Sequence, residues 1–232
     1  MTDKTGRPRK RLLYGRQHGH KLSPRQQRLM DELLPEISAS PERIAAKGLR
    51  ACFDPLPERV FLEIGFGGGE HLAARAGSSP EDGFIGAEPY LNGVAKLLAR
   101  IEDEQFRNVR VLHGDARDLI EAMPEESVSG TFLLYPDPWP KTRHHKRRFV
   151  SKDNLEQLHR IMKPGAEFFF ASDIESYVSW TLVHVLAHGG FQWTADSPRD
   201  WREPPPGWPG TRYEAKALRE GRKPHYLRFV RT

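Results

Sequence analysis

From residue 59 onward, short apolar runs alternate with stretches of helical periodicity. Val60–Ile64, Phe84–Glu88, Val109–Leu112, Thr131–Tyr135 and Glu167–Ala171 are apolar almost throughout, which predicts strands buried on both faces. Between and after them, Glu70–Ala76, Val94–Ile101, Ala116–Met123, Lys152–Met162 and Tyr177–His188 carry the 3.6-residue pattern of helices. Lys163-Pro164-Gly165 predicts a turn. Two later β-like runs, Phe191–Thr194 and Tyr226–Arg231, are joined by a Pro/Gly-rich loop that contains Pro204 to Gly210. Ahead of the alternation, residues 23–34 predict a short helix, with Ser23 as cap, Pro24 in the first turn and Leu29, Met30, Leu33 and Leu34 on one side.

Alternating strands and helices predict one α/β domain: a doubly wound, mostly parallel seven-stranded sheet, with the last two runs as an antiparallel hairpin at one edge. No internal repeat is present. The 232 residues suffice for one core without disulfides or metals. The single cysteine, Cys52, excludes an intrachain disulfide and predicts a reducing, cytoplasmic setting. No apolar run is long enough to span a bilayer, and no signal-like apolar core follows a charged start.

Charge changes the picture. The net charge is +5, but residues 1–25 alone carry +7 and residues 141–148 carry +5, so the rest of the chain sums to −7. An acidic globule with two concentrated basic segments predicts a polyanionic partner, most simply nucleic acid. Residues 1–25 read as a basic, flexible extension of a domain spanning 26–232.

Ligands of doubly wound sheets bind beyond the carboxyl ends of the strands, so the residues ending each strand carry the function. The first strand ends in Glu63-Ile64-Gly65-Phe66-Gly67-Gly68-Gly69, a turn tight enough for a ligand to press against its backbone. The second ends in Glu88, an acid placed to accept from ribose hydroxyls. Such a turn serves NAD, a flavin or S-adenosylmethionine. Glu63 just before the glycines suits a cationic amino acid, and Glu63 with Glu70 would repel a pyrophosphate. Asp115, after the third strand, can accept from an adenine amine. These details favour S-adenosylmethionine.

The fourth strand ends in Tyr135-Pro136-Asp137-Pro138-Trp139-Pro140-Lys141, a stiff turn that holds Asp137 and Trp139 at the mouth of the site. The basic stretch Thr142 to Arg148 follows. His144 and His145 lack cysteine or acidic partners at metal-ligand spacing, so no metal is expected.

These residues resemble the single-polypeptide bacterial tRNA (guanine-N7-)-methyltransferases, over essentially the whole chain from about residue 12. The most specific matches are Glu63 to Gly69, Phe84 to Glu88, Pro136 to Lys141, His145 to Arg148 and Thr211-Arg212-Tyr213-Glu214. The chain departs from the family at Pro140, Thr142 and Pro89-Tyr90. The resemblance implies a Rossmann-like, class I S-adenosylmethionine-dependent methyltransferase fold, and methyl transfer to N7 of guanosine 46 in the tRNA variable loop. It implies cofactor contacts at Glu63, Gly65, Gly67, Glu88, Asp115 and Asp137, with Asp137 also catalytic. It implies substrate contacts at Lys141, Asp173, Thr211, Arg212, Tyr213 and Glu214. It implies an RNA-interacting loop at Arg143, His144, His145, Lys146, Arg147 and Arg148. The implied partner is tRNA, with no membrane, no obligatory protein partner and a monomer or homodimer as the assembly. Two alternatives stand beside this reading: an amino-methyltransferase acting on adenine or cytosine of nucleic acid, and a nicotinamide-dependent oxidoreductase.

Overall fold

The computed structural model describes residues 13–15 and 17–232. The expected basic extension therefore falls partly outside the described residues, at 1–12 and 16. Helix α1 (Pro24–Asp31) is closed by a capping box: the Ser23 hydroxyl accepts from Gln26 N at 3.2 Å, and the Gln26 side chain accepts from Ser23 N at 3.1 Å. The helix predicted over 23–34 stops at Asp31. A short α2 (Leu33–Glu36) follows, because Pro35 has no N–H to continue the ladder and crowds the carbonyl four residues back. Helix α3 (Pro41–Lys47) comes next, capped by Ser40.

The alternation then proceeds as β1 (Val60–Ile64), α4 (Glu70–Ser78), β2 (Gly83–Glu88), α5 (Leu91–Glu104), β3 (Val109–His113), α6 (Ala116–Ala122) and β4 (Val128–Leu134). After the basic loop come α7 (Lys152–Ile161), β5 (Met162–Ser172), α8 (Glu175–His188), β6 (Phe191–Trp193), α9 (Arg199–Arg202), α10 (Arg212–Arg219) and β7 (His225–Arg231). The sheet order is β3-β2-β1-β4-β5-β7-β6. The first five strands are parallel, and β7 runs antiparallel to both β5 and β6. This is the mostly parallel sheet with an antiparallel edge hairpin that the sequence pattern predicts.

Lys163-Pro164-Gly165 is not a turn. The three residues lie within β5, where the pairing slips: Val128 opposes Met162, but Gly130 opposes Glu167. A bulge takes up the extra residues, Gly165 adopts φ +77°, and Pro164 sits where the ladder is already interrupted.

Helices cover both faces. Leu29 of α1, Leu72 of α4 and Leu97, Leu98 and Ile101 of α5 pack with Phe84 and Val109 on one side. Ile44, Leu119, Leu158 and Tyr177, from α3, α6, α7 and α8, pack with Leu62, Ile85, Phe168 and Phe170 on the other. On the first face the helices stop short of β5 and β7. There Trp208, from the Pro/Gly-rich loop, packs with Phe169, Tyr226 and Phe132. The described part of the N-terminal segment lies along α5. Gln17 O accepts from Leu91 N at 2.9 Å, His20 O accepts from the Asn92 amide at 2.7 Å, and Arg25 pairs with Glu102 at 2.7 Å.

Among the described residues, no helix is long and apolar enough to cross a membrane.

Candidate active site

A cavity of about 780 Å³ opens beyond the carboxyl ends of the parallel strands. Its volume suits a nucleoside-sized ligand. The glycine turn after β1 forms its base. Gly65 and Gly67 adopt φ +69° and +59°, which any other residue would hold under strain. A Cβ on Gly93 of α5 would meet Gly67 O at 2.2 Å, so this glycine lets the helix start close against the turn. Glu88 ends β2 with one oxygen accepting from Gly67 N at 2.7 Å and the other from Tyr90 N at 2.9 Å. Asp115 caps α6, accepting from Arg117 N at 3.0 Å, and also pairs with the Arg117 guanidinium.

Asp137 lies on the stiff turn after β4. Tyr135 and Trp139, each followed by a proline, adopt φ +49° and +43°. Proline disfavours the right-handed helical region in the residue before it, and two left-handed non-glycine residues in five are strain held in place by the surrounding structure. The Asp137 carboxylate opens onto the cavity, yet the residues packed around it strip part of its water and hold its pKa above the ordinary carboxylate value. Burial raises the Glu88 pKa as well. The two backbone N–H groups and Arg212 oppose that shift, and the Asp137 charge adds to it. Two acids are thus kept at a cost in their ionised form, an arrangement that a bound cation relieves. Asp115 adds a third carboxylate to the lining. This donor set fits a cationic nucleoside cofactor and opposes a pyrophosphate.

Of the predicted cofactor contacts, Gly65, Gly67, Glu88, Asp115 and Asp137 line this cavity. Glu63 does not. Its side chain points to the opposite face of β1, where Oε2 meets His71 Nδ1 at 2.7 Å with both groups buried. Arg212 and Tyr213 line the cavity, carried by α10. That helix replaces the expected loop, and Thr211 caps it by accepting from Glu214 N at 3.0 Å. Glu214 is buried: it accepts from Trp208 Nε1 at 2.6 Å and from the Tyr226 hydroxyl, so it braces α10 from within and does not face the cavity. Asp173 is paired with Arg222, and Lys141 is exposed outside the cavity lining.

The basic loop winds into 3₁₀ turns over Thr142–Arg147. Arg143 and Lys146 are exposed. His144 is held below the usual imidazole pKa by desolvation and by the neighbouring Arg147, Arg143, Lys141 and Lys146 cations. His145 packs edge-on against Trp180 with ring centroids 5.4 Å apart. Arg148 differs from its expected role on an RNA-facing surface. It is only 3% exposed, donates to Pro138 O at 2.9 Å and to Ser176 O at 3.2 Å, and lies over the rings of Tyr177 and Trp180. Its charge ties the Asp137 turn to α8. Sequence reasoning missed Tyr14, Gly15, Arg117 and Asn154, which also line the cavity. Only Arg117 carried a signal, as a cation in the first turn after Asp115.

A family profile described as "Putative methyltransferase" matches residues 57–227. Proteins named tRNA (guanine-N(7)-)-methyltransferase are similar along the whole chain. The one from Agrobacterium fabrum is 49% identical over 231 residues, covering 100% of both chains. The one from Rhizobium meliloti is 50% identical over 232 residues, again covering 100% of both. The one from a Ruegeria species is 54% identical, covering 95% of this chain and 88% of its own. The chain belongs to the tRNA (guanine-N(7)-)-methyltransferase family. Solved structures agree on the fold. The crystal structure of the 16S rRNA methyltransferase KamB is 16% identical, with a TM-score of 0.56, and covers 77% of this chain and 90% of its own. A 16S rRNA (adenine(1408)-N(1))-methyltransferase from Catenulisporales acidiphilia is 18% identical, with a TM-score of 0.52, and covers 83% of this chain and 91% of its own. The seven-stranded sheet is thus that of the methyltransferase fold.

Proposed function

We propose that this member of the family methylates N7 of a guanosine in tRNA, at position 46 of the variable loop, using S-adenosylmethionine in the cytoplasm as a monomer or homodimer. The observation that carries this is the convergence of Glu88, Asp115 and Asp137 on one cavity that Arg212, Tyr213 and the basic 3₁₀ segment border, in a chain about half identical over its full length to enzymes of that name.

When bound, S-adenosylmethionine supplies an electrophilic methyl group on a cationic sulfur. Guanine N7 carries a free lone pair, so no base is needed to expose it. The demands on the protein are orientation and the exclusion of water. Methylation places positive charge on the purine, and a carboxylate close to the ring stabilises it. Asp137 serves that purpose and can also accept from the N1–H and N2–H edge of guanine. Asp173, engaged by Arg222, is the second acid for that edge. N7 lies in the major groove, which is deep and narrow in RNA helices, so the base must stand in a loop or leave its stack. Trp139 and Tyr213 offer rings for it, and Arg143, Lys146 and the basic N-terminal segment bind phosphates without sequence preference. Lys141 and Thr211 hold the substrate at the rim, with Glu214 setting the helix that carries Arg212 and Tyr213.

Incubation with labelled S-adenosylmethionine and unmodified tRNA, followed by nucleoside digestion, tests the proposal. The expected product is 7-methylguanosine. A methylated adenosine or cytidine would identify the amino-methyltransferase alternative, and absence of label would overturn the assignment. Protection against heating by S-adenosylhomocysteine, and none by NAD, is expected in the same preparation.

A further inference from the structure

The N-terminal segment and the basic loop meet across the mouth of the cavity, through three side chains. The Arg147 guanidinium carbon lies 4.4 Å from the ring centroid of Tyr14 and 4.9 Å from that of Trp139. The two rings are edge-on to each other at 6.0 Å. Arg147 Nε is buried and has no hydrogen-bond partner, so among the described residues the aromatic faces are what hold that end of the head group. Tyr14 is itself 40% exposed, which leaves it no packing role deep in the core. Next to it, a Cβ on Gly15 would lie 2.9 Å from an oxygen of Asp137. Gln17 and His20 then fasten the segment to the start of α5, immediately after Glu88 and Tyr90.

We propose that Tyr14 is a positioning residue for methyl transfer. By stacking on Arg147 it fixes Trp139 and the basic loop in register with Asp137, so that the guanine meets a formed wall when it enters. This rests on the proposed reaction, and Tyr14 acts through Arg147 and Trp139 without touching the reacting atoms. The chemistry selects the ring: a cation over an aromatic face is attracted by the quadrupole of the ring, and the tyrosine hydroxyl adds nothing to that contact.

The test is steady-state methylation of tRNA by Y14A, Y14F, R147K and the Y14A/R147K double variant, each with its melting temperature and S-adenosylhomocysteine affinity. Y14A is expected to lower kcat about tenfold, the order that a partly desolvated cation–π contact supports. Its melting temperature and S-adenosylhomocysteine affinity should stay at wild-type values. Y14F should restore kcat. R147K, which keeps the charge but loses the planar group, should resemble Y14A, and the double variant should be no worse than the more impaired single. Additive losses, a Y14F as impaired as Y14A, or a Y14A defect confined to KM for tRNA would overturn the positioning role. A wild-type protein that makes no 7-methylguanosine would instead count against the reaction itself.

Discussion

Glu63 and His71 form a buried pair beneath the glycine turn, with Oε2 and Nδ1 2.7 Å apart and each residue less than 5% exposed. The His71 ring is in turn packed against Phe132 and Trp208, at centroid distances of 4.7 and 5.0 Å. The acid next to the cofactor turn therefore joins β1, α4 and the Pro/Gly-rich loop. Removing His71 strands a buried carboxylate. H71A is expected to lower stability by about 3 kcal/mol, read as a drop in denaturant midpoint with an unchanged slope. The H71L/E63L pair should lose much less than the two single losses combined. Additive losses would show that the pair is not the unit.

The pKa of Glu88 is raised above the ordinary carboxylate range by its burial, and that of Asp137 by the partial loss of water around it, so ionising either costs more in the free protein than in solution. A cation in the cavity favours the ionised forms and pulls both values back down. Cofactor binding should then release protons, and affinity should fall as pH drops through the raised pKa values, starting at a higher pH than an ordinary carboxylate would give. The free fold responds with the opposite sign. These two groups add stability below their unfolded pKa values, and that contribution is lost as pH rises through the folded ones. Titration calorimetry of S-adenosylmethionine in two buffers of different ionisation enthalpy measures the proton release. No buffer dependence across the acidic range would refute the coupling.

Asp137 is expected to act by orientation and charge, since N7 needs no deprotonation. Asp137→Asn keeps an acceptor in place and should retain more kcat than Asp137→Ala, each measured at saturating cofactor. A hydrogen bond to a charged group supports about a tenfold separation. Equal losses would exclude an orienting contact.

Arg148 and Arg143 stand close in sequence but differ in burial, and their variants should fail in different ways. R148A should lower the melting temperature, because it leaves Pro138 O and Ser176 O without their donor and loosens the turn carrying Asp137. R143A should leave melting unchanged and reduce the slope of log affinity for tRNA against log salt by about 1. A stable R148A with a reduced salt slope would return that residue to the RNA surface.

The five parallel strands were legible as short, nearly unbroken apolar runs that alternate with helical patterns, and the two antiparallel edge strands as β-like runs late in the chain. The break at Pro35 was missed because Leu33 and Leu34 continue the apolar stripe past the point where the backbone can follow. Helix α10 was hidden by the Pro/Gly-rich loop before it, although Thr211 and Glu214 stand at cap and third position of a helix start. At the site, Glu88, Asp115 and Asp137 follow strand ends, and the topology alone delivers them to one cavity. Glu63, Glu214 and Arg148 show what a motif leaves open. A charge written in a motif does not reveal whether its side chain turns toward the ligand or into the fold, and each of these three turns inward onto a partner distant in sequence or in another element. Tyr14 had no local signal, because its significance comes from Arg147, more than a hundred residues away.

The position of β7 between β5 and β6 governs the order in which the sheet can be completed. As the chain emerges from a ribosome, β6 is made before β7 but has no neighbour to pair with until β7 arrives. Until then, β5 presents an unpaired edge, and Phe168 and Phe170 lack the strand that completes their side of the sheet. Such an edge is a template for pairing with other chains. This nascent stage is where a chaperone would have most to protect, and where a slowly translated stretch between α8 and β7 would do most harm.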